Sequence, residues 1–182
     1  MTRPMLPTFR GVDHIGLTVP SIDEALAFFV DVLGGEAYYG FEPGHGDGDD
    51  DTAAENFDID PSSRIREIRL VRMGNLNLEL FEWVAERPGQ KMPSLDGAGG
   101  HELCLYVDDV DAAVAHLKAH DIEILGDKLA LEGPEAGPDA FYIYFRAPWG
   151  LLVELISYPH GRAYEREFKR PLWNPSRPDV TL

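Results

Sequence analysis

The sequence predicts an α+β fold made of two paired βαβββ modules that together form a concave, metal-binding cup. Three observations carry that prediction: an internal repeat, two-residue alternation in the segments around it, and Gly/Pro punctuation that cuts the chain into matching lengths. The repeat is direct. Laying the stretch that starts at Gly100 over the one that starts at Val12 matches Val19 with Val107, Asp23 with Asp111, Ala25 with Ala113 and Ala27 with Ala115, a constant offset of 88 residues. Each copy reads as an alternating strand, a polar turn and a helical stretch, and such self-similarity sets the architecture before any single residue does.

The elements follow in order. Val12 to Val19 alternates as a half-buried strand and Pro20 stops it. Ser21 caps a helix with Glu24 as its capping-box partner; Ile22, Leu26, Phe29, Val30 and Leu33 form its apolar face, and Gly34-Gly35 ends it. A strand over 36–41 comes next, then an acidic loop over 42–63. Its Asp47, Asp49 and Asp51 lack the glycine and closing glutamate of a calcium loop, so it reads as a solvated loop or lid. Arg64 to Met73 is a strand with a bulge near Arg66, Gly74-Asn75 a hairpin turn, and Leu76 to Trp83 the next strand. The first module therefore spans 11–84, and a Gly/Pro-rich linker covers 85–99.

The second module, 100–158, replays the order: a strand over 102–107, a helix over 109–120 capped by Asp108 or Asp109, a short strand over 123–126, a Gly/Pro loop, and strands over 140–146 and 151–157 around a Pro148-Trp149-Gly150 turn. Residues 159–182 read as a tail wrapped on the surface or on a partner. A four-stranded sheet with one helix covers only one face, so two such modules are expected to pair, helices outward.

Bulk properties exclude some partners. The 182-residue chain carries a formal net charge of −16, which repels nucleic acid and anionic membranes. Its one cysteine, Cys104, excludes an intrachain disulfide and suits a reducing compartment. With no long apolar run at the start, the expectation is a cytoplasmic protein.

Alternation then assigns faces. Ile15, Leu17 and Val19 should pack under the first helix, turning His14, Gly16 and Thr18 to the cup; Leu103, Leu105 and Val107 should do the same, turning Glu102, Cys104 and Tyr106 to it. His14 is thus matched by Glu102, and His101 belongs to the other face unless a bulge intervenes. In the closing strands Leu76, Leu78 and Leu80 leave Asn77, Glu79, Phe81 and Trp83 on the cup side, and Leu151, Val153 and Leu155 leave Glu154. A carboxylate among leucines is costly unless paired or bound to a cation. Pairing with Arg69, Arg72 or Arg146 is one way to satisfy it; a divalent metal held by His14, Glu79, Glu102 and Glu154 is the other. Cys104 reads as a small buried hydrophobe, and His45, His116 and His120 as surface residues, with His160 in the tail.

The pieces Asp13–Val19, Leu78–Trp83, Tyr106–Ala113 and Ala147–Ile156 resemble the vicinal oxygen chelate superfamily, which includes glyoxalase I, methylmalonyl-CoA epimerase, extradiol dioxygenases and bleomycin and fosfomycin resistance proteins. The resemblance implies a glyoxalase-like fold, a homodimer, and metal ligands at His14, Glu79, Glu102 and Glu154. These relatives usually carry His at the position of Glu102; here the pair reads His101-Glu102, so His101 is the alternative ligand. The metal would be Mn²⁺, Fe²⁺, Ni²⁺ or Zn²⁺, and three carboxylates favour the harder cations. The implied chemistry is stabilisation of an enolate or enediolate of a small oxygenated metabolite, with Glu79 or Glu154 moving the proton, as in an isomerase or lyase. The alternatives are an Fe²⁺ extradiol dioxygenase, against which the lone His speaks, and a metal-free binding or resistance protein.

Overall fold

The computed structural model describes residues 11–42, 63–84, 95–167 and 172–177, which divide between Pro88 and Gly89 into two compact units. The acidic loop beyond Glu42, with Asp47, Asp49, Asp51 and His45, lies outside the described residues, as does most of the linker. No helix among the described residues is long and apolar enough to cross a membrane.

The first unit runs β1 (Ile15–Val19), α1 (Ile22–Leu26, continuing as a π-helical turn Ala27–Val32), β2 (Glu36–Phe41), β3 (Arg64–Met73) and β4 (Leu76–Val84). Its sheet has the order β1-β4-β3-β2, with β1 parallel to β4 and the other pairs antiparallel. The second unit runs β5 (Leu103–Tyr106), α2 (Val110–Ala119), β6 (Ile124–Ala130), β7 (Phe141–Arg146) and β8 (Leu152–Ser157), in the equivalent order β5-β8-β7-β6. Two mixed four-stranded sheets, each with one principal helix, make the fold α+β and glyoxalase-like, as the repeat predicts.

Local signals act where the sequence puts them. Ser21 Oγ accepts from the Glu24 N–H, and the Asp109 carboxylate accepts from the Ala112 N–H, so Asp109 rather than Asp108 is the second cap. The β3–β4 register slips between Ile65 and Glu67, the bulge expected near Arg66, and Gly74 turns the hairpin at φ +59°.

The first helix departs from expectation. Its second half winds as a π turn, with the Leu33 N–H bonded to the Phe28 carbonyl and the Gly35 N–H to that of Phe29. The wider turn brings the consecutive rings of Phe28 and Phe29 into the core edge-on, at 1% and 0% exposure. Ile22 and Ala25 join them, whereas Leu26, Val30 and Leu33 are only half-buried. Burying each phenylalanine contributes about 1.5–3 kcal/mol, which offsets the poorer hydrogen-bond geometry of the turn. Gly35 follows because a side chain there has no room: a Cβ would meet Met73 Sδ at 2.5 Å.

Two further corrections concern strands. β6 continues to Ala130, past the expected end at Gly126, because a register shift between Leu125 and Leu129, with Gly126 at φ +65°, absorbs the irregular residues. Of Ile15, Leu17 and Val19, only Val19 is fully buried; β1 is an edge strand and Ile15 lies beyond the cover. Leu103, Leu105 and Val107 are half-buried; β5 too is an edge strand. The central strands β4 and β8 carry the apolar floor, with Leu78, Leu80 and Val153 all at 0%.

Candidate metal centre

In the first unit, parallel pairing sets Gly16 opposite Glu79, and His14 enters just before β1 on the same face. His14 Nε2 lies 3.0 Å from Glu79 Oε2, and Nδ1 lies 2.8 Å from Asp13 Oδ2. The Asp13 hydrogen bond is the main reason the imidazole pKa is raised; burial opposes it, and the charges of Glu79 and Asp13 add to it. A nitrogen lone pair does not rest against a carboxylate oxygen unless positive charge sits on or between them, supplied by a proton or a bound cation.

Glu79 sits between Leu78 and Leu80, which face the helix, so its own side chain turns to the opposite face. The arginines that sequence offered as partners are engaged elsewhere: Arg69 with Glu67, Arg72 with the Gly74 carbonyl and Arg146 with the Gly150 carbonyl. The rest of the face is aromatic and small. Phe81 and Trp83 stack at 6.1 Å, and Trp83 donates to Thr18 Oγ1. A Cβ on Gly16 would press the Phe81 ring at 3.2 Å. A cavity of about 500 Å³ opens in this unit, lined by Asp13, Tyr38, Tyr39, Arg72 and Asn77 among others. Neither His14 nor Glu79 lines it; Asp13 joins the cavity to the imidazole.

Carboxylates on the two faces of β4 meet different needs. Glu82 accepts the Ile22 N–H at 2.8 Å and pairs with Arg66 at 3.1 Å, so it caps α1. Sequence reading passed over Glu82; its parity with Leu78 and Leu80 was the available signal.

In the second unit, Cys104, Glu154 and Tyr144 stand in register across β5, β8 and β7, and Glu102 precedes β5. The Cys104 thiol donates to the Glu154 carboxylate and the Tyr144 hydroxyl to that of Glu102. Burial raises the Glu154 pKa; the Cys104 hydrogen bond works against this and the charges of Glu102 and Glu135 reinforce it. Burial, and then the carboxylates of Glu154 and Glu102, push Cys104 and Tyr144 far up. Cys104 is exposed, which corrects its reading as a buried hydrophobe: its face is polar rather than packed. His101 is exposed, with Nδ1 at 3.2 Å from the Gly99 carbonyl. Glu102 Oε2, by contrast, is buried with no hydrogen-bond partner.

That orphaned oxygen tests the site's chemistry. A buried carboxylate oxygen without a donor, beside a second carboxylate of raised pKa, is an arrangement short of one cation. Among the described residues, no three His, Cys, Asp or Glu side chains are gathered into a group that could hold a metal. His116 and His120 lie on the surface of α2 with ring centroids 4.4 Å apart, and His160 is exposed near Asp139.

A family model described as the Glyoxalase/Bleomycin resistance protein/Dioxygenase superfamily matches residues 13–145. The chain is 36% identical over 178 residues to a protein of Actinomyces sp named 2-epi-5-epi-valiolone epimerase, covering 96% of this chain and 94% of that one. It is 25% identical over 147 residues to human mitochondrial methylmalonyl-CoA epimerase, covering 79% and 72%. Among solved structures, a fosfomycin resistance protein of Listeria monocytogenes, determined with Mn(II) and 1S,2S-dihydroxypropylphosphonic acid, superposes with a TM-score of 0.57 at 15% identity, covering 88% of this chain and 100% of that one.

Proposed function

The chain belongs to the glyoxalase/bleomycin resistance protein/dioxygenase superfamily, and from that premise we propose that it is a metal-dependent epimerase acting on a carbon next to a carbonyl in a small oxygenated metabolite. The observation that carries this reading is the buried, unpartnered Glu102 Oε2, with the His14–Glu79 pair as its counterpart in the other module. His14, Glu79, Glu102 and Glu154 would hold the cation, Glu102 rather than His101 because only Glu102 combines an orphaned oxygen with a hydrogen bond to Tyr144. A bound divalent ion supplies positive charge opposite the oxygen that becomes negative when the neighbouring carbon loses its proton.

The protein's own groups move that proton. Epimerisation needs a base on one face of the carbon and an acid on the other. One of Glu79 and Glu154 takes the proton, and the C–H electrons pass into the enolate π system. The other carboxyl then delivers a proton to the opposite face, so atoms and charge balance with no redox partner. Asp13 holds His14 from its far side and Tyr144 holds Glu102, fixing both donors before substrate arrives.

The named relatives are epimerases, which favours proton transfer over the dioxygenase and metal-free readings, and isomerase over lyase. The compound in the first relative's name, a cyclic polyhydroxy ketone, is the first substrate to try. We further propose a homodimer that works in the cytoplasm. The test is deuterium incorporation from D₂O into 2-epi-5-epi-valiolone or methylmalonyl-CoA, followed by NMR, with Mn²⁺, Fe²⁺, Ni²⁺ or Zn²⁺ and with chelator. Chelator-sensitive exchange is expected; no exchange with any metal would end the reading.

A further inference from the structure

The sheet face that carries Cys104 and Glu154 continues, two residues along β5 and β8, to Tyr106 and Ile156. The Tyr106 ring meets Tyr158 edge-on at 4.9 Å, and both pack with Tyr142 and Ile156 around Leu131 and Ala140. Arg162 closes this end of the face. Its guanidinium lies 4.2 Å from the Tyr158 ring centroid and 5.0 Å from that of Tyr164. Nη1 donates to Glu135 at 2.9 Å and Nη2 to the Tyr164 hydroxyl at 3.4 Å. The side chain is only 8% exposed.

Two donors in this cluster are left over. Arg162 Nε and the Tyr106 hydroxyl are both buried and neither has a hydrogen-bond partner. A folded chain rarely strands a buried donor, and two around one ring mark a place completed from outside. The location is specific, because Tyr106 lies on the same sheet face as the paired Cys104 and Glu154.

We propose that Tyr106 and Arg162 form a recognition subsite for an oxygen atom of the substrate remote from the exchanged carbon. The chemistry narrows the ligand. Nε–H only donates, so the incoming atom is an acceptor; a phenol both donates and accepts, which suits a hydroxyl. Glu135 already balances the guanidinium charge, so the subsite selects an uncharged hydroxyl or carbonyl oxygen over a phosphate or carboxylate. A polyhydroxylated ketone meets that description. This subsite rests on the epimerase reading for its substrate class, while its binding test is independent of turnover.

The variants are Tyr106→Phe and Arg162→Lys, with Glu135→Gln as the control that removes only the ion pair. In full-length protein with Mn²⁺, Tyr106→Phe is expected to raise KM for deuterium exchange into 2-epi-5-epi-valiolone about tenfold, the worth of one lost hydrogen bond, with kcat nearly unchanged. Its thermal midpoint should stay level or rise, because the group removed satisfies nothing in the free protein. Arg162→Lys should raise KM likewise, and Glu135→Gln much less. A wild-type KM in Tyr106→Phe, or a KM in Arg162→Lys no higher than in Glu135→Gln, overturns the subsite. Calorimetric titration of the same ketone separates the two readings. Binding without exchange, lost in Tyr106→Phe, sinks the epimerase reading and keeps the subsite; exchange unaffected by Tyr106→Phe does the reverse. No binding to the wild type overturns both for this ligand class.

Discussion

In the first module an imidazole meets a carboxylate, His14 against Glu79; in the second, at the position 88 residues on from His14, the carboxylate of Glu102 meets the phenol of Tyr144. The backbone plan is the same in both, down to the parallel outer pair and the sheet order. The chemistry is not. His14 Nε2 and Glu79 reach each other directly, while the second module holds a thiol, a phenol and two carboxylates whose hydrogen bonds leave one oxygen over. A repeated fold therefore copies the places where side chains point, and each copy fills them with its own chemistry.

The strongest way to break that comparison is to remove one base at a time. Glu79→Gln and Glu154→Gln should each lower epimerisation by about 10²–10⁴-fold. If the modules serve opposite faces of the carbon, each variant should still exchange deuterium into one epimer only, as read by NMR; loss of exchange in both epimers in both variants would deny the division of labour. Next in size, Asp13→Asn should weaken Mn²⁺ binding by about 10- to 100-fold in calorimetry, because His14 loses the partner that fixes its ring. Unchanged affinity would place Asp13 outside the centre.

A smaller effect sharpens the contrast within one strand. Glu82→Gln should leave exchange intact and cost about 1–2 kcal/mol in denaturant unfolding, since Glu82 caps α1 from the other face of β4. The smallest concerns the tail. Burial would raise the Glu165 pKa, but the Arg177 hydrogen bond, the Arg162 N–H and both guanidinium charges outweigh it and lower it. A carboxylate depressed in the folded state contributes stability above its unfolded pKa, lost as pH falls through the folded value. Trp173 fluorescence should therefore change on acidification through the carboxylate range, and Glu165→Gln should abolish that step.

Much of the plan is legible in the chain. The 88-residue offset gives both modules, alternation gives the faces of Glu79 and Glu154, and Asp109, Arg66 and Gly74 mark a cap, a bulge and a turn that occur. What escapes has tertiary causes. The π turn answers to the space that Phe28 and Phe29 find under the sheet, which periodicity at 3.6 residues does not contain. β6 runs past Gly126 because Ala130 finds Phe141 to pair with. Asp13 looks like any strand-flanking acid until His14 turns toward it, and Arg162 like any tail arginine until Tyr158 and Tyr164 close on it.

The thiol at position 104 has a practical corollary. Part of its surface is open to solvent, yet burial first, and then the charge and hydrogen bond of Glu154 and the charge of Glu102, hold its proton on, so little thiolate exists near neutrality. Maleimide labelling should be slow for so accessible a sulfur and should quicken when Glu154 is neutralised, which makes this lone cysteine a built-in reporter of what the neighbouring carboxylates are doing.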